Sequence, residues 1–218
     1  MTRQRSGRSL SQSRAPLDPE EHVLTPTDVK HWFYCPLVFY YDRAFGVRAK
    51  LGAQQAEARE VHERVEELER RRKRAHIPGV KARRKLTELM LESKRLPLRG
   101  KLDLLVEAES GELIPVEFKT SSSRRGKPME DHKYQLTAYA LLVEECFKKP
   151  VKRGVIVYMG DGVDVVVQIT PSMKRHVAKA LQKMVKILEM GVPPKARVNP
   201  RKCTGGCGYK WICQQAPP

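Results

Sequence analysis

No apolar run in the 218 residues approaches the roughly 18 residues that a bilayer-spanning helix needs, so no membrane span is expected. The basic, Ser-rich N-terminus, MTRQRSGRSLSQSRAP, has no apolar stretch behind it and does not read as a secretory signal. No G-x-x-x-x-G-K-[ST] phosphate loop occurs, so the chain carries no nucleotide-driven motor of that class. No internal repeat appears, which excludes a solenoid or propeller. Acidic residues are scarce beside basic ones: 25 Asp and Glu face 42 Lys and Arg, a formal charge of +17. That excess calls for a polyanionic partner, nucleic acid first and a membrane surface second. The length allows one large domain with an ordinary core. Residues 1–20 read as a disordered basic tail, residues 21–213 as a single domain and residues 214–218 as a short tail.

The five cysteines of an apparently cytoplasmic protein point to metal or redox chemistry rather than disulfides. Three of them crowd one stretch, KCTGGCGYKWIC, as Cys203, Cys207 and Cys213. A closed tetrahedral metal site needs four ligands, so a fourth is to be sought elsewhere. Cys146 lies in a helical pattern and is read as a buried helix residue.

The segment TDVKHWFYCPLVFYYDRAF predicts a helix capped by Thr25 or Thr27 and bent at Pro36. Residues 53–75 place Ala58, Val61, His62, Val65 and Leu68 on one helical face. Residues 80–92 read as a shorter basic helix. The period then changes: 96–108 and 113–120 read as strands joined by a turn at 109–112. Helix is expected again over 131–147. A hairpin is expected over 151–170, turning at Gly160-Asp161-Gly162, and a helix over 172–190 with Val177, Leu181, Met184, Val185 and Leu188 inward. This order predicts an α/β fold, a mixed central sheet of three or four strands flanked by helices.

The chemistry concentrates on the first hairpin. With its turn centred on Ser110, Asp103 lies opposite Glu117, seven residues away on either side. Two facing carboxylates repel, and a fold ordinarily avoids the pairing. A divalent cation between them converts that repulsion into a binding site. Lys119, two residues beyond Glu117, projects from the same face. A hard cation there would acidify a bound water and clamp a phosphoryl oxygen, with the ammonium group offsetting charge on phosphorus. On spacing alone, ordinary edge-strand charges fit equally well. On a helix, Gln135 and Tyr139 are i, i+4 neighbours, and their polar tips either face this site or simply pack. His62 is either a core histidine or a further ligand.

Together, His62, the GKLD of Asp103, the E-x-K of Glu117 and Lys119 and the Q-x-x-x-Y of Gln135 and Tyr139 resemble the RecB-type branch of the PD-(D/E)xK nucleases. One upstream cysteine and three near the end resemble its iron–sulfur subgroup. The length and layout resemble the stand-alone CRISPR-associated exonucleases, the CRISPR-associated protein 4 family, from about residue 24 to 213. The resemblance implies a restriction-endonuclease-like core with an iron–sulfur-stapled N- and C-terminal region. It implies Mg²⁺ or Mn²⁺ held by His62, Asp103, Glu117 and the backbone carbonyl of Phe118, with Lys119 assisting the attacking water and Gln135 and Tyr139 shaping the substrate site. The fourth thiol would be Cys35, in a Cys-Pro followed by aromatics, joining Cys203, Cys207 and Cys213 around a [4Fe–4S] cluster. Four thiolates also suit zinc. The sequence departs from the family in one place: Thr204, Gly205 and Gly206 separate two cysteines that are more often two residues apart.

The activity so implied is exonucleolytic cleavage of single-stranded or frayed DNA, trimming and selecting spacer precursors beside a CRISPR integrase complex. Two alternatives carry the same charge and cysteines: a non-catalytic DNA-binding module stapled by zinc or iron–sulfur, and a repair nuclease working with a separate helicase. Segments 70–85 and 124–127 are candidate phosphate contacts or plain solvated faces.

Overall fold

A computed structural model describes residues 22–47, 77, 79–213 and 215–216. The predicted N-terminal tail and the predicted helix over 53–75, with His62, lie outside the described residues.

Helix α1 spans Pro26–Tyr34. Thr25 caps it reciprocally, its hydroxyl accepting from the Asp28 amide while the Asp28 carboxylate accepts from the Thr25 amide. The helix stops at Cys35, whose extended backbone follows from the proline behind it. Helix α2, Pro36–Phe39, then leads into a π-helical turn over Tyr40–Ala44. The bend expected at Pro36 is present.

Five strands form one sheet in the order β1-β2-β3-β4-β5: Ala82–Glu92, Arg99–Ala108, Leu113–Lys119, Arg153–Tyr158 and Val163–Gln168. Neighbours run antiparallel except β3 and β4, which are parallel, so the sheet is mixed as expected. The parallel pair requires a crossover. Helix α3, Glu130–Phe147, provides it. Helix α4, Pro171–Met190, is capped by the Thr170 hydroxyl and stopped by Gly191 in the left-handed region at φ 63°. A short helix α5, Pro200–Thr204, opens the cysteine-rich end.

Two expectations are corrected. Residues 82–92 form a strand, not a helix. ARRKLTELMLE is rich in helix formers, yet it pairs with β2 from Ala82↔Ala108 to Glu92↔Arg99. A long antiparallel ladder, broken by a register shift between Ala82 and Arg84, outweighs a weak propensity. Cys146 is exposed, not buried. Its stripe runs off the covered face in the last turn of α3, which ends at Lys148 with φ 54°.

The principal core fills the space between the sheet and the helices α1, α3 and α4, around Leu102, Leu136, Leu142, Ile156 and Leu181. Val177, Leu181, Met184 and Leu188 of α4 are buried as expected, while Val185 is half-buried. Two close approaches fix the helices on the sheet. A Cβ on Gly154 would lie 2.9 Å from both Leu136 Cδ2 and the Pro115 carbonyl oxygen, so α3 packs closely on β4 there. A Cβ on Gly100 would lie 2.6 Å from Pro26 Cδ, so the start of α1 rests directly on β2. Among the described residues, no helix is long and apolar enough to cross a membrane.

Candidate functional site

Strands β2 and β3 pair as Leu104↔Val116, Leu105↔Pro115, Val106↔Ile114 and Glu107↔Leu113. Continued by one step, this register sets Asp103 opposite Glu117, as the hairpin arithmetic expects. Both carboxylates are buried, at 8% and 4% exposure. Asp103 Oδ2 accepts a 3.0 Å hydrogen bond from the Phe118 amide, locking the acid against β3. Lys119 Nζ donates to Glu117 Oε1 at 2.8 Å and to Gln135 Oε1 at 2.7 Å. Strand β3 therefore contributes the acid and the ammonium, and α3 contributes the amide that holds the ammonium over the acid.

Tyr139, one turn beyond Gln135, is engaged differently. Its hydroxyl donates to the Lys101 carbonyl at 2.8 Å, two residues before Asp103. It thus braces the stretch of β2 that leads into the acid. Asp103, Glu117, Lys119 and Gln135 are brought together; Phe118 supplies the peptide between acid and lysine.

Residues not singled out in the sequence join this cluster. Lys30 of α1 is within electrostatic reach of Lys119, Asp131 and Glu117, and burial first, then Lys119, hold its ammonium below the usual lysine range. Asp131 and His132 are buried in the first turns of α3. His132 Nδ1 lies 3.1 Å from the Tyr158 hydroxyl, which accepts from the Met129 amide at 2.9 Å. Burial, with Lys119 and Lys30 nearby, depresses the His132 pKa to about 3, so its ring is neutral near pH 7. Tyr158 pairs with Lys119 across the β3–β4 ladder, so this buried network anchors the strand end that carries the ammonium. One more lysine among 42 basic residues gives no sequence signal; only the packing of α1 distinguishes Lys30.

The four cysteines proposed from sequence as ligands also converge. Cys35, Cys203, Cys207 and Cys213 line a single cavity of about 310 Å³ with Tyr34 and Tyr209. Burial raises the Cys35 thiol pKa, and the Cys207 and Cys213 thiols raise it further. Burial likewise raises the Cys203 thiol, followed by Cys207, Cys35 and Cys213. Four thiols converging on one cavity form a site suited to a cationic centre. Among the described residues, only Asp28, His31 and Asp42 bring three potential metal-ligand atoms within 4.8 Å of one another; no three of the cysteines do. In that trio the Asp28 carboxylate accepts from the Thr25 cap, with Arg43 at 3.8 Å from Asp28 and His31 at 3.4 Å from Asp42. The loop at 124–127 is an exposed turn, and β1 carries exposed Arg83 and Arg84 from the 70–85 segment.

Comparison with known proteins agrees with this geometry. The model of the PD-(D/E)XK nuclease superfamily matches residues 47–214. The CRISPR-associated exonuclease Cas4 of Aeropyrum pernix is 30% identical over 192 residues, covering 85% of this chain and 92% of that protein. Its counterpart in Francisella tularensis subsp. novicida is 27% identical over 185 residues, covering 85% and 90%. A Leptospira interrogans protein that fuses exonuclease Cas4 to endonuclease Cas1 is 24% identical over 184 residues, which cover 83% of this chain and 31% of the fusion. The crystal structure of SSO0001 shares the fold, with a TM-score of 0.57 at 20% identity, covering 89% of this chain and 87% of that one. The chain belongs to the PD-(D/E)XK nuclease superfamily and, within it, to the CRISPR-associated exonuclease Cas4 family.

Proposed function

We propose that the chain is a divalent-metal-dependent DNA exonuclease of the cytoplasm, acting on single-stranded DNA or frayed ends, that trims and selects spacer precursors in CRISPR adaptation. The observation that carries this reading is the Lys119 ammonium bridging Glu117 and Gln135 where the hairpin register aligns Glu117 with Asp103. Two buried hard-oxygen donors facing each other fit Mg²⁺ or Mn²⁺, with His62 and the Phe118 carbonyl proposed to complete the set. A bound ion would supply an acidified water and a clamp on the phosphoryl oxygen. The chain's own residues do the rest. The Phe118 amide fixes the orientation of Asp103. Gln135 keeps Lys119 extended over Glu117, where its charge meets the negative charge growing on phosphorus. Tyr139 fixes β2, so the two acids keep their register.

The four cysteines are proposed to hold a [4Fe–4S] cluster with a structural role. Four thiols converging on one cavity suit such a cluster and also suit zinc. The +17 charge supports a nucleic-acid substrate. The fused Leptospira relative supports a partner complex containing the CRISPR integrase.

End-labelled single-stranded DNA incubated with Mn²⁺ tests the reading. The native protein should shorten it, while Asp103→Ala and Lys119→Ala should each lose at least about 10²-fold in rate and keep the brown colour and near-400 nm absorbance of the cluster. Undiminished cutting by both variants removes the site assignment. Strands that are shifted but intact with the native protein favour a non-catalytic DNA-binding module.

A further inference from the structure

Lys30 is placed by two contacts on either side of it along α1. Four residues earlier, Pro26 rests over Gly100 beside the Tyr139 ring. Three residues later, Phe33 stacks on Tyr134, with ring centroids 3.9 Å apart and planes inclined by 18°. Helices α1 and α3 therefore run antiparallel side by side, Pro26 near Tyr139 and Phe33 near Tyr134. Lys30 passes at the level of Gln135, whose amide oxygen already accepts from Lys119. Lys30 thus comes within electrostatic reach of Lys119 from the helix side.

Their pairing differs. Lys119 is bonded to Glu117 and Gln135. Among the described residues, Lys30 has no hydrogen-bond or ion-pair partner. It is half-buried, and a like charge is its strongest electrostatic neighbour. Asp131, then Glu117 and Asp42, are its counter-charges, but none is bonded to it, and Asp131 lies in the first turn of α3, where the helix dipole favours an acid without help. Glu117 is already bonded to Lys119, so a half-desolvated ammonium with no direct partner among the described residues, beside another ammonium, is poised to take an added anion.

We propose that Lys30 binds a backbone phosphate of the DNA strand, adjacent to the phosphate engaged over Glu117 and Lys119. The proposal rests on the nuclease reading for the identity of the anion and adds a strand contact to it. The strand would lie against α1, entering between that helix and the end of β3. Lys30 would then hold the strand's register and leave the reacting atoms to Lys119.

The experiment measures binding of a fluorescent 20-nucleotide single strand to full-length protein, with a chelator present so that the strand is not cut, over a series of salt concentrations. Lys30→Met keeps the apolar stem and removes the charge. One lost phosphate contact should weaken binding about five- to tenfold near 0.1 M salt and reduce the log–log salt slope by about 0.7. Lys30→Arg should retain the slope. Because the ammonium sits in an unfavourable field, Lys30→Met should not lower the thermal midpoint. Native affinity and slope in Lys30→Met overturn the proposal. So does weaker binding with the slope intact, because a structural defect loosens the strand without releasing one fewer counterion. Cutting of the same strand by native protein with Mn²⁺ is scored separately. Its absence removes the nuclease reading, while the salt slope still decides whether Lys30 contacts phosphate.

Discussion

The acidic end of the sheet and the cysteine lobe differ in what holds them. Asp103 and Glu117 stand on interior strands: β2 is paired with β1 and β3, and β3 with β2 and β4. Ladders on both sides fix the backbone, and Phe118, Gln135 and Tyr139 fix what projects from it. Among its described residues the cysteine lobe has no strand. It consists of the five-residue helix α5, a succession of turns, and a small apolar cluster of Leu37, Val38, Tyr40, Tyr41 and Tyr209 around a cavity. A helix that short does not stand alone in water, and Cys207 and Cys213 remain half-buried. The site is preorganised by the sheet, whereas the lobe has few contacts of its own, and the proposed cluster would supply what the ladders supply to the sheet. Helix α1 joins the two, with Lys30 facing the site and Cys35 just past its end.

The sharpest way to break this contrast is to take away a thiol. Cys207→Ser should abolish the near-400 nm absorbance. Amide exchange over residues 197–213 should quicken by roughly 100-fold or more as the lobe opens locally. Amides of β2 and β3 should keep their protection. Equal loss of protection in sheet and lobe would show that the sheet, too, depends on Cys207, and the comparison would fail.

A second test strikes the sheet end. The His132 pKa, near 6.5 when unfolded, falls to about 3 in the fold. Between those values the unfolded chain binds the extra proton. The neutral ring's stabilisation is therefore fully present above pH 6.5 and drains away as pH falls toward 3. At pH 5 the loss should be about 2 kcal/mol. His132→Gln, which keeps an acceptor for the Tyr158 hydroxyl, should lose that much less stability between pH 7 and pH 5 in denaturant titrations. Parallel acid profiles for variant and native protein would show that this histidine does not anchor the strand end.

How far these two regions could be read from sequence follows from the same difference. The acid pair was legible because a hairpin is local: seven residues either side of Ser110 fix the register without knowledge of the rest of the fold. The turn at Gly160–Gly162 and the stop at Gly191 were legible for the same reason. Strand β1 was not, because ARRKLTELMLE becomes a strand only by pairing along β2, a long-range contact that outweighs its helix-forming composition. Cys146 misled because an i, i+4 stripe does not reveal where the covering layer ends. Lys30, Asp131 and His132 were invisible because their significance comes from α1 and α3 lying side by side. The grouping of Cys35 with three cysteines some 170 residues away came from a family pattern, since no local rule links the two ends of the chain.

The smallest test stays within the lobe. The Tyr209 hydroxyl donates to Asp42 Oδ1 at 2.9 Å, tying the cysteine-rich turns back to the segment after α2. The Asp42 carboxyl is held below the usual carboxylate range, first by its bond to His31 and then by Tyr209. Its contribution is therefore present above the unfolded aspartate pKa near 3.9 and disappears as pH falls through the lower folded value. Tyr209→Phe keeps the ring that stacks on Tyr41, with centroids 6.0 Å apart, and removes one hydrogen bond to a partly exposed acid. The expected cost is roughly 0.5–1 kcal/mol at neutral pH, read as faster exchange at Tyr209 and Cys213, with β2 and β3 unaffected. The difference between variant and native protein should shrink as pH falls through the lowered Asp42 value. A uniform effect across the sheet would mean that this tie is shared by the whole fold, and lobe and sheet would then open as one unit.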